Sequence, residues 1–324
     1  MNSAVDIEQV ETPLSADLAA ELSALWEEIF ASSYEKFQAM LRGEEREHNR
    51  NLFFLARRNG AVAGTCHVAL PHSQSQLGGF GEVATPPQFR RQGIATALCA
   101  RGRDVFGELG GEALFLGTNN LQALRVYHRL GWRKLSGANV MALVNGSSAP
   151  EVFIADYYRQ GGTVRVDEGT AAARVPIIPL LLCPHDWRVL DANAGFFSTR
   201  YVVQSSCMGL YPRYELIVQQ GGMFFEARTD TNCLVGLSSA RLDGKGRCQV
   251  DGFVHGEYDA VWEKLMQAAL NWCDQRTLTC QAVIATEDED KRARFAALGF
   301  TAIGAADDFD LQDRAIAALR LERS

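Results

Sequence analysis

A chain of 324 residues, 47% hydrophobic and 22% charged, is long enough for two hydrophobic cores, and two domains are expected. Its formal net charge of -7 argues against general affinity for nucleic acid or anionic membranes and mildly favours a cationic or neutral substrate. Eight cysteines without a C-x-x-C pair, several in apolar surroundings (Cys66, Cys99, Cys183), read as reduced, buried thiols, and no metal site is called for. The first residues, Met1 to Leu14, lack a basic start and an apolar run, and the run from Val175 to Cys183 is too short to span a bilayer. A cytoplasmic location is the resulting expectation.

In chain order, an amphipathic helix is expected from about Ser15 to Phe30, with Trp26 and Phe30 on its core stripe. A hairpin follows, Asn51 to Arg57 and Ala61 to Leu70, turned by Asn59-Gly60, a dipeptide suited to a tight primed turn. The charged run Glu44 to Glu47 before it is expected to face solvent. A strand near Phe80 to Thr85 leads into a helix from Gly93 to about Glu108, with Ile94, Ala97, Leu98 and Val105 on one face and Gly110-Gly111 as its stop. Then come a strand at Ala113 to Thr118, a helix from Leu121 to Leu130 ended by Gly131, and a strand around Val140 to Val144.

The second half echoes the first. Phe224-Phe225-Glu226-Ala227-Arg228 resembles Phe53-Phe54-Leu55-Ala56-Arg57, Ala282 to Thr286 resembles Leu114 to Thr118, and Leu298-Gly299-Phe300 resembles Leu130-Gly131-Trp132. The echoes keep the same order at matched spacing, which points to a tandem duplication. The expected division is a first domain at 1–146, a linker at 147–160 and a second domain at 161–324.

Between the strand ending near Thr85 and the helix lies Arg90-Arg91-Gln92-Gly93-Ile94-Ala95-Thr96. Backbone N–H groups at a helix start have no intrahelical partner and suit a diphosphate, and Gly93 and Ala95 keep the approach open. Arg90-x-x-Gly93-x-Ala95, followed by Asn120-x-x-Ala123-x-x-x-Tyr127-x-x-x-Gly131-Trp132, resembles the two signature motifs of the GNAT superfamily of CoA-dependent N-acyltransferases. The motifs cover the first half; the second half carries the likeness by echo only.

The resemblance implies an α/β fold in each half, a mixed sheet flanked by helices, and acetyl-CoA as co-substrate. It places the backbone of Val83 and Thr85 on the thioester and pantetheine, and the N–H groups from Arg91 through Gln92, Gly93 and Ile94 to Ala95 on the pyrophosphate. Arg90, Arg91 and the Thr96 hydroxyl assist. Asn120 lies beside the pantetheine or caps its helix, and Tyr127 takes the general-acid position or packs on the sheet. A phenol of pKa about 10 can protonate a forming thiolate.

Many family members carry a glutamate where this chain has Gly79. The nearest carboxylate, Glu82, is the candidate base, with His67 and His72 as alternatives, and an amine arriving neutral would need none. Trp26, Glu27, Phe30, Tyr34 and Glu35 fall where this family walls the acceptor site.

In the second half the phosphate turn corresponds to His255-Gly256-Glu257-Tyr258-Asp259, whose carboxylates would repel a pyrophosphate. The asparagine, alanine and tyrosine positions hold Asp288, Lys291 and Phe295. The expectation is an N-acetyltransferase using acetyl-CoA and a primary amine of a small molecule, in a monomer or homodimer, without nucleic acid or membrane partners. The alternatives are a longer acyl-CoA or aminoacyl-tRNA donor, or a non-catalytic CoA-binding regulatory module.

Overall fold

The computed structural model describes residues 5–146, 148–244, 246–311 and 314–323; Met1 to Ala4, and Ser147 at the start of the expected linker, lie outside them. The elements in order are β1 (Ile7–Glu11), α1 (Ala16–Phe30), α2 (Gln38–Leu41), β2 (Asn49–Arg58), β3 (Ala61–Pro71), β4 (Leu77–Ala84), α3 (Ile94–Glu108), β5 (Ala113–Gly117), α4 (Leu121–Arg129), β6 (Arg133–Lys134) and β7 (Val140–Val144). They continue as α5 (Pro150–Tyr158), β8 (Val164–Glu168), α6 (Ile177–Leu182), β9 (Val189–Asp191), β10 (Phe196–Phe197), α7 (Tyr211–Gln219), β11 (Met223–Thr229), β12 (Leu234–Leu242) and β13 (Arg247–Val254). The last are α8 (Trp262–Asp274), β14 (Thr279–Ala285), α9 (Glu289–Ala297), β15 (Phe300–Leu311) and β16 (Arg314–Arg323).

Two compact units result. The first comprises residues 1–153 with two later stretches, 174–178 and 205–212; the second holds 154–173, 179–204 and 213–324. Within the expected linker, residues 150–158 form α5, opened by Pro150 at the position where a missing N–H costs nothing.

In the first unit seven strands pair in the order β1-β2-β3-β4-β5-β7-β6, antiparallel except for β4 with β5. The continuous apolar run of β2 reflects burial on both faces. Leu52, Phe54 and Ala56 join the core under α3 and α4, while Phe53 and Leu55 join the core under α1. Asn59 and Gly60 both take positive φ, 51° and 85°, the geometry of a primed two-residue turn.

Ser15 caps α1 by accepting from Leu18 N. Trp26 is fully buried, but Phe30 is exposed, because the helix ends there and Ala31 turns left-handed. The strand expected from Phe80 begins at Leu77, where pairing to β5 overrides the weak strand preference of Gly78 and Gly79.

The second unit repeats this order strand for strand, β8-β11-β12-β13-β14-β16-β15, again with one parallel pair, β13 with β14. All eight cysteines are buried and free. Buried His185 donates from Nε2 to the Leu180 carbonyl (2.9 Å) and meets Phe253 edge-on.

Burial pushes the pKa of His185 down to about 4 from 6.5. Between those values the unfolded chain binds more protons, so the contribution of neutral His185 is complete above about 6.5 and is lost as pH falls toward 4. The loss should reach about 3 kcal/mol. Urea unfolding of wild type and His185→Phe at neutral and acidic pH checks it: the variant should lose less stability on acidification, and equal losses would refute the assignment.

Candidate functional site

Past β4, the Pro86-Pro87 pair and a short turn bring the chain to Arg91 and Gly93, both left-handed with φ 62° and 79°. Such alternation turns successive N–H groups toward one side. Gly93 is the N-cap of α3, and no Cβ contact limits the space beside it. Among the described residues, the N–H groups of Arg91, Gln92, Gly93, Ile94, Ala95 and Thr96 have no hydrogen-bond partner. Ile94 is buried and anchors the turn, while Arg91, Gln92, Gly93 and Thr96 are exposed. Arg90 folds back, its Nε donating to Thr85 O (2.9 Å), and Gln92 Nε2 donates to Gln88 O (3.3 Å). The turn is thus shaped from within, and the Thr85 carbonyl is already engaged by Arg90.

The sheet opens beside this turn. Parallel pairing of β4 with β5 stops at Gly79 opposite Phe115, so the β4 edge from Phe80 onward has no partner strand. A bulge follows on the side facing β3: His67 pairs with Gly81 and Thr65 with Ala84, leaving Glu82 and Val83 opposite Cys66 alone. Glu82 takes φ 47°, a left-handed conformation that costs a non-glycine residue about 1 kcal/mol or more.

The bulge is held by contacts from α1. The Thr65 hydroxyl donates to Glu82 O (2.5 Å) and accepts from Trp26 Nε1 (3.0 Å). Val83 is half-buried at the open edge, and Thr85 Oγ1 is buried without a hydrogen-bond partner among the described residues.

The Glu82 side chain is buried, with Oε2 2.9 Å from His67 Nδ1; His67 Nε2 lies 3.0 Å from Asn51 Oδ1. The imidazole, fully buried, stacks on Phe53 at 4.4 Å. Tyr34 lies near this carboxylate: burial, and then the Glu82 charge, pushes its phenol up. The N–H of Tyr34 is held by Glu27 Oε1 (2.9 Å), which fixes the loop after α1. His72 lies apart, exposed and bonded to Arg46 O.

Tyr127 sits on α4, whose start is capped by Asn120 Oδ1 accepting from Gln122 N and Ala123 N. Its ring packs edge-on to Phe80 and against Trp132, as a purely structural residue would. Burial pushes the phenol well up, followed by nearby Cys99 and Cys66, so the hydroxyl keeps its proton.

Two features were illegible in the sequence. Gly79, where the family resemblance expects a glutamate, faces Met208: a Cβ built there would meet Met208 Sδ at 2.5 Å, and one at Gly81 would meet Met208 Cγ at 2.9 Å. A thioether from the 205–212 stretch of the same unit occupies the space of the absent side chain.

The second feature corrects the expectation that Glu44 to Glu47 face solvent. Glu45 is buried and accepts from Arg174 Nε (2.6 Å), with a second contact to Nη2 and a hydrogen bond from Asn49 Nδ2. Arg174 is itself fully buried over the Tyr211 ring. The run is amphipathic because its partner lies far along the chain, where local charge pattern gives no hint.

In the second unit the corresponding places are used differently. Pairing of β13 with β14 also stops after three residues, at Gln249 opposite Gln281. Beyond it lies the chain itself. Lys291 Nζ contacts Asp251 Oδ1 (2.6 Å) and donates to Val189 O and Leu190 O, while Asp251 Oδ2 accepts from Ala192 N (2.8 Å). Asp288 accepts from Arg188 N and Val189 N. Burial pushes Asp251 up to about 7, against the pull of Lys291. Before α8, His255 Nδ1 takes the Glu257 N–H, and Phe295 is buried where Tyr127 stands in the first unit.

A mixed sheet thus opens beside a helix start rich in unpartnered N–H groups. Residues 17–132 match the family model described as Acetyltransferase (GNAT) family. A mycothiol acetyltransferase of Acidimicrobium ferrooxidans is 32% identical over 84 residues, 25% of this chain and 27% of that protein. The chain thus spans little more than a quarter of that relative.

A phosphinothricin acetyltransferase of the GNAT superfamily from Sinorhizobium meliloti, solved with AcCoA, is 17% identical, with 50% of this chain and 88% of that one covered and a TM-score of 0.39. A GNAT-family acetyltransferase from Streptococcus pneumoniae is 10% identical, covering 50% and 98%, with a TM-score of 0.39. Among the described residues no group of His, Cys, Asp and Glu is placed to hold a metal, and no helix is long and apolar enough to cross a membrane.

Proposed function

We propose that the first unit is an acetyl-CoA-dependent N-acetyltransferase that acetylates a primary amine of a small molecule by direct transfer, and that the second unit is a degenerate copy that binds no acyl-CoA. The carrying observation is the run of unpartnered N–H groups from Arg91 to Thr96 beside the open edge of β4. These donors suit a diphosphate, and the edge around Val83 suits an extended amide-bearing arm. Arg91 and Thr96, both exposed, flank the turn. Partial likeness to a mycothiol acetyltransferase supports an acetyl transfer. In the second unit, residues 188–192 hold the corresponding opening.

Acetyl-CoA supplies an activated acetyl thioester. Glu82 takes a proton from the acceptor ammonium and frees its lone pair. Tyr127, held neutral by burial, keeps a proton for the thiolate that departs as the thioester C–S bond breaks. A CoA-binding module without turnover is the second reading, favoured by Gly79 in place of a glutamate.

Thiol release from acetyl-CoA across a panel of small amines separates the two. Turnover that falls about a hundredfold in Tyr127→Phe is the expected result. Tight CoA binding with no turnover on any amine or peptide N-terminus would favour the module.

A further inference from the structure

We propose that Asn51 and His67 are positioning residues: Asn51 donates from Nδ2 to His67 Nε2, which keeps the imidazole proton on Nδ1, where it is donated to Glu82 and aims the carboxylate. The inference rests on the reading of Glu82 as the base. The three side chains come from β2, β3 and β4 and form one chain, with Asn51 Oδ1 and His67 Nε2 3.0 Å apart and His67 Nδ1 and Glu82 Oε2 2.9 Å apart.

Asn51 Nδ2 is buried and has no hydrogen-bond partner among the described residues. The two ends of a carboxamide are alike in shape and differ only in the protons they offer. Turned so that Nδ2 faces His67, the amide satisfies its buried donor, and only an imidazole lacking a proton on Nε2 can accept it. The single proton of a neutral ring then sits on Nδ1, against Glu82. With Oδ1 facing the ring instead, Nε2 must carry the proton, and the Glu82 contact is made only if the pair holds a further proton.

The amide's orientation therefore sets the charge state of the dyad. The stack on Phe53 fixes the ring plane, and the bulge clamped by Thr65 fixes the Glu82 backbone. The other ionisable groups that feel Glu82 are Tyr34, Cys66 and Tyr127, and burial pushes all three up, so they stay neutral. Glu82 Oε1 has no partner among the described residues and is the oxygen free to act. In the proton transfer, the acceptor's N–H bond breaks, an O–H bond forms on Oε1, and the nitrogen keeps the electron pair; the His67 proton does not move.

The test is nitrogen NMR of the full chain labelled in its histidine rings, without acyl-CoA, with the His67 signals assigned by subtraction of His67→Asn. A neutral ring protonated on Nδ1 is expected, and Asn51→Asp should bring a proton to Nε2, because a carboxylate can only accept. A wild-type ring with a proton on Nε2, alone or together with Nδ1, overturns the proposal. In kinetics, His67→Asn retains a donor toward Glu82 and should keep most of kcat, whereas His67→Phe should lower it about ten- to a hundredfold at unchanged KM for acetyl-CoA. Equal kcat in the two variants also overturns it. If His67→Phe does not fold, the NMR result on wild type and Asn51→Asp decides alone. Full turnover by Glu82→Gln is a different outcome, which removes the base reading while leaving the tautomer measured.

Discussion

Arg174→Ala is expected to destabilise the first unit by about 3–5 kcal/mol. The guanidinium and the Glu45 carboxylate are both buried, and neither has water to fall back on. Removing the arginine leaves the buried Glu45 carboxylate with the Asn49 amide as its side-chain donor among the described residues, and a lone buried carboxylate is far more costly than the pair is beneficial. It also strips the cation from the Tyr211 face. Removing both charges with partners of similar volume, Arg174→Met with Glu45→Leu, should therefore restore much of the loss. Guanidinium unfolding of the full chain followed by tryptophan fluorescence measures both, and a single variant that unfolds at the wild-type midpoint would show the pair to be idle.

Glu82→Gln should lower kcat/KM about a hundred- to ten-thousandfold near neutral pH. Glutamine keeps the shape and can still accept from His67 Nδ1 (2.9 Å from the carboxylate oxygen), so the bulge and the packing around it persist. What it cannot do is take a proton. The deficit should shrink as pH rises toward the pKa of the acceptor amine, because solvent then delivers the amine already neutral. A pH profile of the variant against wild type checks this; a constant deficit at all pH values would mean that Glu82 acts through structure rather than as a base.

Much of the first unit was legible because its signals are local. Ser15 ahead of a 3.6-residue apolar period, the Asn59-Gly60 turn and the glycines after α3 and α4 each fix a boundary by short-range sterics. The unpartnered turn at Gly93 was equally plain, since a helix start needs no distant partner to expose its N–H groups. The repeated strand order of the second unit follows the echoes noted at Phe224, Ala282 and Gly299.

What stayed hidden depends on contacts remote in sequence. Glu82, His67 and Asn51 meet only because strand register and a bulge bring three alternate faces together. Glu45 looked solvated because its counter-ion lies 129 residues away. Asn120 was open between a ligand contact and a cap; the cap is made, and both nearby N–H groups use it.

The meeting of Gly79 with Met208 has a consequence for how this chain can vary. A side chain at 79 needs the thioether to withdraw, and a smaller residue at 208 leaves a void unless 79 grows. The two positions are therefore energetically coupled, with either single change unfavourable and the double change compatible. A lineage that once gave up a carboxylate at position 79 would find the way back closed by a residue on a different stretch of chain, and the burden of taking the proton would have passed for good to another strand position.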